Sequence, residues 1–557
     1  MKKSKLKKLC AVTLALTLGM SVLVGCGGSA NKTTAKAQVL TYNLNADPKT
    51  LDPALNASVD GAIVVSNTFE GLCKLDEKDK AIAGVAEKWD VSKDGTVYTF
   101  HLRDSKWSNG DTVKAGDFEY AWKRVLNPTT AAEYAYQMSY LKNANEYNQG
   151  KVVKETGVKA TADDVGVKAI DDKTLEVTLA EPCSYFLELT AFPCYFPVNK
   201  ALVENNSEWA LKAETYISNG PFKMTDYKIK DQIVLEKNEN YYGKDNVKLD
   251  KVNMKLVTEE TSAWASYKTG DFDMVDVVPN SETQTALKDG TATAFKALGT
   301  YFYVLNLDKD KVSAIDPEAA KVLSDSRVRK ALNLAVDRPS IVENITKGGQ
   351  IPAHSFVAEG IPGPDGKDFA QKEYFSPKAN IEEAKKLLAE AGYPDGKGFP
   401  TLIATYNPES GNGDIAQALQ DMWKNNLGIT VELQSQEWKV FQKTRTDGKY
   451  EIGRHAWLGD YVDPMTFLEM WQSTSGLNVA KYKSPEYDKL LQGAKVEQDA
   501  TKRIDLMHKA EDVLMEDMPI VPLYYYVSVK GVKSYVKDVR VSPLGFIYFD
   551  KAYIEGK

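Results

Sequence analysis

Asp414-Ile415-Ala416-Gln417-Ala418-Leu419-Gln420-Asp421-Met422-Trp423-Lys424-Asn425-Asn426-Leu427-Gly428-Ile429-Thr430-Val431-Glu432-Leu433 is the stretch on which the fold class turns. Residues 414–426 are amphipathic at the helical period, and Gly428 stands where a helix would stop. Residues 429–433 follow at once as a strand. A helix that passes directly into a strand predicts an α/β lobe whose sheet edges open on a cleft.

The same alternation extends outward. Residues 500–517 read as a helix and 520–527 as the apolar strand after it. Upstream, Asn380 can cap a helix with Glu383 three residues on as its capping partner, and Gly392 and Pro394 end it. Residues 96–102, 175–179 and 233–236 alternate apolar and polar side chains like half-buried strands, and 301–306 is a further strand. There is no internal repeat. A chain of 557 residues exceeds one compact core, so two or three lobes are expected. Its 43% hydrophobic and 26% charged residues are ordinary globular values, which excludes extensive disorder.

The N-terminus reads as an address. Lys2, Lys3, Lys5, Lys7 and Lys8 precede an apolar stretch over 9–24, the pattern of a secretory signal. Leu23-Val24-Gly25-Cys26 resembles the bacterial lipobox, which implies lipidation of Cys26 and a membrane anchor without a spanning helix. Residues 26–38 are then a flexible tether, and the folded body starts near Val39. Removing the signal's five lysines takes the net charge from -7 to -12, an acidic body that argues against nucleic-acid binding.

Catalytic signatures are missing. The four histidines, His101, His354, His455 and His508, form no HExxH and share no short ligand spacing. There is no GxSxG, P-loop or GxGxxG. Cys73, Cys183 and Cys194 lie in no CxxC; the last two either pair in an oxidising compartment or sit as small buried apolar groups. No metal or cofactor is expected, and no enzyme activity.

One segment is more specific. Residues 457–468 contain Trp457-Leu458-Gly459-Asp460-Tyr461-Val462-Asp463-Pro464, which resembles the W-x-x-D-Y-x-[DE]-P motif of oligopeptide-binding proteins. Thr50-Leu51-Asp52-Pro53, Phe69-Glu70-Gly71-Leu72, Phe100-His101-Leu102-Arg103, Trp107-Ser108-Asn109-Gly110, the run from Asp117 to Arg124, Asn219-Gly220-Pro221-Phe222, the run from Val328 to Leu332, Glu437-Trp438-Lys439 and Tyr524-Tyr525-Tyr526-Val527 resemble the same family in the same order. The resemblance spans nearly all of the chain from Val39.

It implies a periplasmic-binding-protein-like α/β fold of class II, cluster C. Lobe I would comprise 39–70, 201–300 and 528–557, lobe II 301–527, and an additional domain 71–200. The two lobes would close on the ligand about a hinge. It also implies a monomeric carrier that binds short peptides and delivers them to ABC permease subunits driven by cytoplasmic ATPases. A peptide-pheromone receptor, a carrier of a metal complex, haem or sugar, and a surface-anchored hydrolase or adhesin are the alternatives.

The implied site residues follow. Backbone pairing with the peptide would come from edge strands near Ala57-Ser58-Val59 and Ala456-Trp457-Leu458. Asp460 would hold the ammonium; read alone, an Asp in a Gly-Asp-Tyr run is a turn residue. Trp438, Trp457, Tyr525 and Tyr526, with Tyr134, would wall side-chain pockets. Arg445 and Arg454 would face the C-terminal half, since a guanidinium matches a carboxylate by bidentate geometry. Asn306 would meet the peptide backbone. Two departures stand out: Asn412 replaces a family histidine, and Leu458 replaces a cysteine, so the interlobe disulfide of some members is absent.

Overall fold

The computed structural model describes residues 37–408 and 411–557. The signal 1–25, Cys26 and the tether up to residue 36 lie outside the described residues. Gln38–Lys557 forms one compact body. The chain enters it one residue before Val39. The Gln38 backbone N–H donates to Asp250 (2.8 Å), and its side-chain amide exchanges hydrogen bonds with the Ile554 backbone (3.2 and 2.8 Å).

The core element is a mixed sheet of eleven strands: β1 (Val39–Asn43), β2 (Phe222–Lys228), β3 (Gln232–Lys237), β4 (Lys251–Lys255), β5 (Met274–Val275), β6 (Thr293–Leu305), β7 (Ile351–Pro352), β8 (Leu402–Tyr406), β9 (Val431–Ser435), β10 (Ile452–Leu458) and β11 (Ile520–Val532). Their order is β9-β8-β10-β6-β11-β5-β1-β4-β3-β2, with β7 paired to β11. The α/β class expected from 414–433 is therefore present. Gly428 ends the helix Asn412–Leu427 in the left-handed region (φ 72°), and the Ile429 N–H still donates back to the Trp423 carbonyl (3.3 Å). That closing turn consumes 429 and 430, so β9 starts two residues later than expected. Asn380 caps Ile381–Glu390 as anticipated, its side chain accepting from the Glu383 N–H at 3.3 Å.

The 13-residue strands β6 and β11 are common to both halves of the sheet. Thr293–Lys296 pairs with Lys530–Val527, and Thr300–Val304 with Tyr525–Ile520; the register shifts between Lys296 and Thr300. Gly299 lies in that break. A Cβ there would stand 2.4 Å from Leu458 Cδ2 and 3.0 Å from the Trp457 carbonyl oxygen, so only glycine lets β10 approach this closely. A separate four-stranded antiparallel sheet, Ala86–Val91, Val97–Leu102, Thr174–Thr178 and Val167–Asp171, packs against the helix Ala115–Leu126.

Several family-like motifs prove to be stitches between distant segments. Arg124 grips the buried Asp52 through both terminal guanidinium nitrogens (2.9 and 2.5 Å), and the Trp209 indole N–H adds a third donor (3.3 Å). Asn219 accepts from the Glu70 N–H and donates to the Glu70 carbonyl (3.0 and 2.9 Å), while the Tyr241 and Tyr242 hydroxyls donate to the Glu70 carboxylate. Cys73, Cys183 and Cys194 are buried and free, the second of the two readings of 183 and 194.

Candidate functional site

β10 sits between β8 and β6, and strand alternation turns Arg454, Ala456 and Leu458 to one face and His455 and Trp457 to the other. Past its end the chain is pinned. The Gly459 N–H donates to the Leu298 carbonyl (2.7 Å), the Asp460 N–H to Thr466 Oγ1 (3.0 Å), and Arg503 clamps Asp463 with two bonds (2.7 and 2.8 Å). Asp460 is thereby held in one place, half-buried. Burial pushes its carboxyl up to about 6; a hydrogen bond from the Tyr136 hydroxyl (3.0 Å) opposes this, and the nearby Glu469 carboxylate adds to it. Tyr134 stacks on Tyr136 (ring centroids 5.6 Å apart) and packs on Phe192. No cation pairs with Asp460 among the described residues.

The arginines present the opposite case. Arg454 lies over the Tyr301 ring at 4.8 Å, and Arg445 Nη1 donates to the Arg454 carbonyl (3.4 Å). Burial, with the neighbouring Arg454 charge, lowers Arg445 to about 10, partly opposed by Tyr450. Neither guanidinium has a carboxylate partner among the described residues, and the Nε of each is buried without a hydrogen bond. Asn412 acts from beneath: its side-chain oxygen accepts from the Tyr301 hydroxyl (2.8 Å) and so fixes the ring under Arg454. Trp438 is 37% exposed with its ring against Phe441, and Trp457 is half-buried with its indole N–H unpartnered.

Three expectations need correction. Residues 57–59 form no strand: Ser58 is the N-cap of the helix Val59–Thr68, and only its own backbone is extended (φ -131°, ψ 150°). Tyr525 and Tyr526, both expected to wall side-chain pockets, face opposite sides of β11, as adjacent strand residues do. Tyr526 goes with Tyr301 and Tyr524, whereas Tyr525 is buried with its hydroxyl bound by Ser355 Oγ (2.6 Å) and the Ser355 N–H (3.0 Å). Asn306 is turned to the protein backbone, with both N–H donors spent and none left for a ligand. Its amide donates to the Gly448 and Tyr450 carbonyls and its oxygen accepts from the Asp308 N–H.

Sequence reading missed Tyr136, Gln137 and Glu469. Tyr136 and Asp460 are 324 positions apart, and the 3-10 helix Glu133–Met138 that carries Tyr136 has no apolar period to mark a face. The only signal was the second tyrosine beside Tyr134.

The family model described as bacterial extracellular solute-binding proteins, family 5 middle, matches residues 80–478. The chain is 38% identical to the oligopeptide-binding protein OppA of Bacillus subtilis, over 99% of this chain and 100% of that one. Among solved structures, the unliganded open form of the periplasmic murein tripeptide-binding protein MppA matches with a TM-score of 0.78 at 33% identity, covering 93% of this chain and 98% of that one. Haemophilus influenzae OppA in complex with RPPGFSPFR matches with a TM-score of 0.71 at 32% identity, covering 93% and 99%.

Proposed function

The chain belongs to family 5 of the bacterial extracellular solute-binding proteins, and from that premise we propose that it captures short peptides by their two charged ends and hands them to the permease of an ABC importer. One observation carries the reading. An acid without a cation, Asp460, follows one end of β10, and two guanidiniums without an acid stand toward the other, Arg454 on the strand and Arg445 on the helix Trp438–Thr446 beside it. Unmatched charges of opposite sign, separated along a strand, suit a zwitterionic chain that brings an ammonium to one and a carboxylate to the others. The strand between them supplies backbone groups for the amides, and the exposed Leu458 and Trp438 leave room for varied side chains.

We read 39–70, 201–300 and 528–557 as lobe I, 301–527 as lobe II and 71–200 as the added domain, with β6 and β11 as the hinge. The better match to an unliganded open form than to a peptide complex supports an open state of this hinge. The signal and lipobox support tethering outside the cell membrane through lipid on Cys26, and we read the protein as a monomer. We read the protein as a carrier and not an enzyme.

Titration calorimetry with the mature protein tests the site. Asp460→Ala should cost about 3–5 kcal/mol, hundreds- to thousands-fold in affinity, for a free peptide. N-acetylated peptides should bind the parent poorly. Equal binding of free peptide by mutant and parent ends the assignment, and native mass spectra of retained ligands that lack an amine would end the peptide reading.

A further inference from the structure

Gln137 is an anomaly in the added domain. It lies in the 3-10 helix Glu133–Met138 and is only 3% exposed, and its own carbonyl is fixed by the Tyr195 hydroxyl (2.7 Å). Its side-chain oxygen and nitrogen are both buried, and neither has a hydrogen-bond partner. No other side chain among the described residues carries two such atoms. Buried amides are almost always satisfied, so a doubly unmet one at a fixed position points to a group supplied from outside. The location says which. Gln137 adjoins Tyr136, whose hydroxyl donates to Asp460, and its amide lies beside that carboxylate, close enough to favour its ionised form without forming a proper hydrogen bond.

We propose that Gln137 is the third acceptor of the amine site, which makes that site selective for a primary ammonium over a secondary one. The proposal rests on the reading of Asp460 as the ammonium partner. A primary ammonium carries three N–H donors spread tetrahedrally. Asp460 takes one. The Tyr136 hydroxyl, its proton committed to Asp460, keeps its lone pairs for a second. The Gln137 oxygen takes the third, and its NH2 then turns to the carboxylate. An N-methylated terminus or an N-terminal proline has two donors and puts carbon where the third should be. One acceptor then stays unmet in a buried setting, which is where discrimination between ligands is strongest.

The test is calorimetric titration of the mature protein with trialanine, N-methyl-trialanine and N-acetyl-trialanine. The parent should prefer trialanine to its N-methyl form by about tenfold to a hundredfold, the worth of a hydrogen bond to a charged group. Gln137→Leu should weaken trialanine by a similar factor and bring the two ligands within about threefold. Gln137→Met, closer in shape, serves as the second variant and should do the same; circular dichroism checks the fold of both. A preference retained in full by both variants overturns the role of Gln137, as does a parent that binds the two ligands equally. Asp460→Asn separates this from the parent reading. If it abolishes trialanine binding while the glutamine variants keep the preference, only the third acceptor is lost. If the parent binds N-acetyl-trialanine as well as trialanine, the amine site itself fails.

Discussion

A carboxyl group that must hold an ammonium works only when ionised, and the burial of Asp460 opposes ionisation. In the free protein its pKa stands at about 6, with Tyr136 as the chief group holding it down. The bound ammonium favours the ionised form, so binding must expel any proton from Asp460. Affinity should therefore fall below pH ~6 by up to about tenfold per unit, and fall again above pH ~8 as the α-amine, of pKa about 7.7–8.0, loses its charge. Tyr136→Phe removes a bond to the charged form and should move the acidic limb to higher pH. Calorimetry of one peptide across this range checks both; an affinity that is flat from about pH 5 to 7 would falsify the role. Residue chemistry that a sequence displays was legible here. Asp460 stands in a motif and Arg445 and Arg454 at positions that resemble family arginines, and all three carry unmatched charges. What escaped was contact. Tyr136 reaches Asp460, and Gln137 comes beside it, only through tertiary packing, and the engagement of Asn306 by three backbone groups is invisible until Gly448 and Tyr450 are beside it.

Elements were readable where local signals decide them. The Asn380 cap and the Gly428 stop are set by residues within one turn, and both hold. β6 was found only at its apolar end, because its first residues, Thr293–Ala297, are mostly exposed and owe their extension to pairing with 527–530. The helix Ala500–Asp517 illustrates what pairing across elements adds. Its buried Glu511 accepts from the Phe356 and Val357 N–H groups (3.1 and 2.9 Å), and the Phe356 carbonyl accepts from Thr300 of β6 (2.8 Å). Burial raises Glu511 to about 7, against those backbone bonds. A carboxyl whose folded pKa exceeds its unfolded value favours the folded state most when protonated. Its contribution is complete below pH ~4.5 and is lost as pH rises through about 7, by roughly 3 kcal/mol. Glu511→Gln should keep an acceptor for the two N–H groups while flattening that part of the pH dependence. Urea midpoints of parent and variant at about pH 5 and pH 8 measure it; an unchanged difference between the two pH values refutes the assignment.

At the scale of the whole molecule, the two halves of the sheet share β6 and β11, and we read the register break around Gly299 as the point where both strands would bend. The proposed amine site lies beside that break, because Gly459 hangs on the Leu298 carbonyl and Asp460 follows it. Arg454 lies further back on β10 and Arg445 on the helix Trp438–Thr446 beside it, so a ligand spanning both ends would lie along β10 next to the proposed hinge. Binding should then draw the halves together, seen as a fall in radius of gyration by small-angle scattering when peptide saturates the protein. No disulfide among the described residues restrains that movement: Leu458 faces Gly299 across the break, and Cys73, Cys183 and Cys194 are free and buried. Contraction and affinity should accordingly be the same with and without a thiol reductant. A radius unchanged at calorimetric saturation would remove β6 and β11 as a hinge, and a contraction that reductant alters would show that a disulfide governs it.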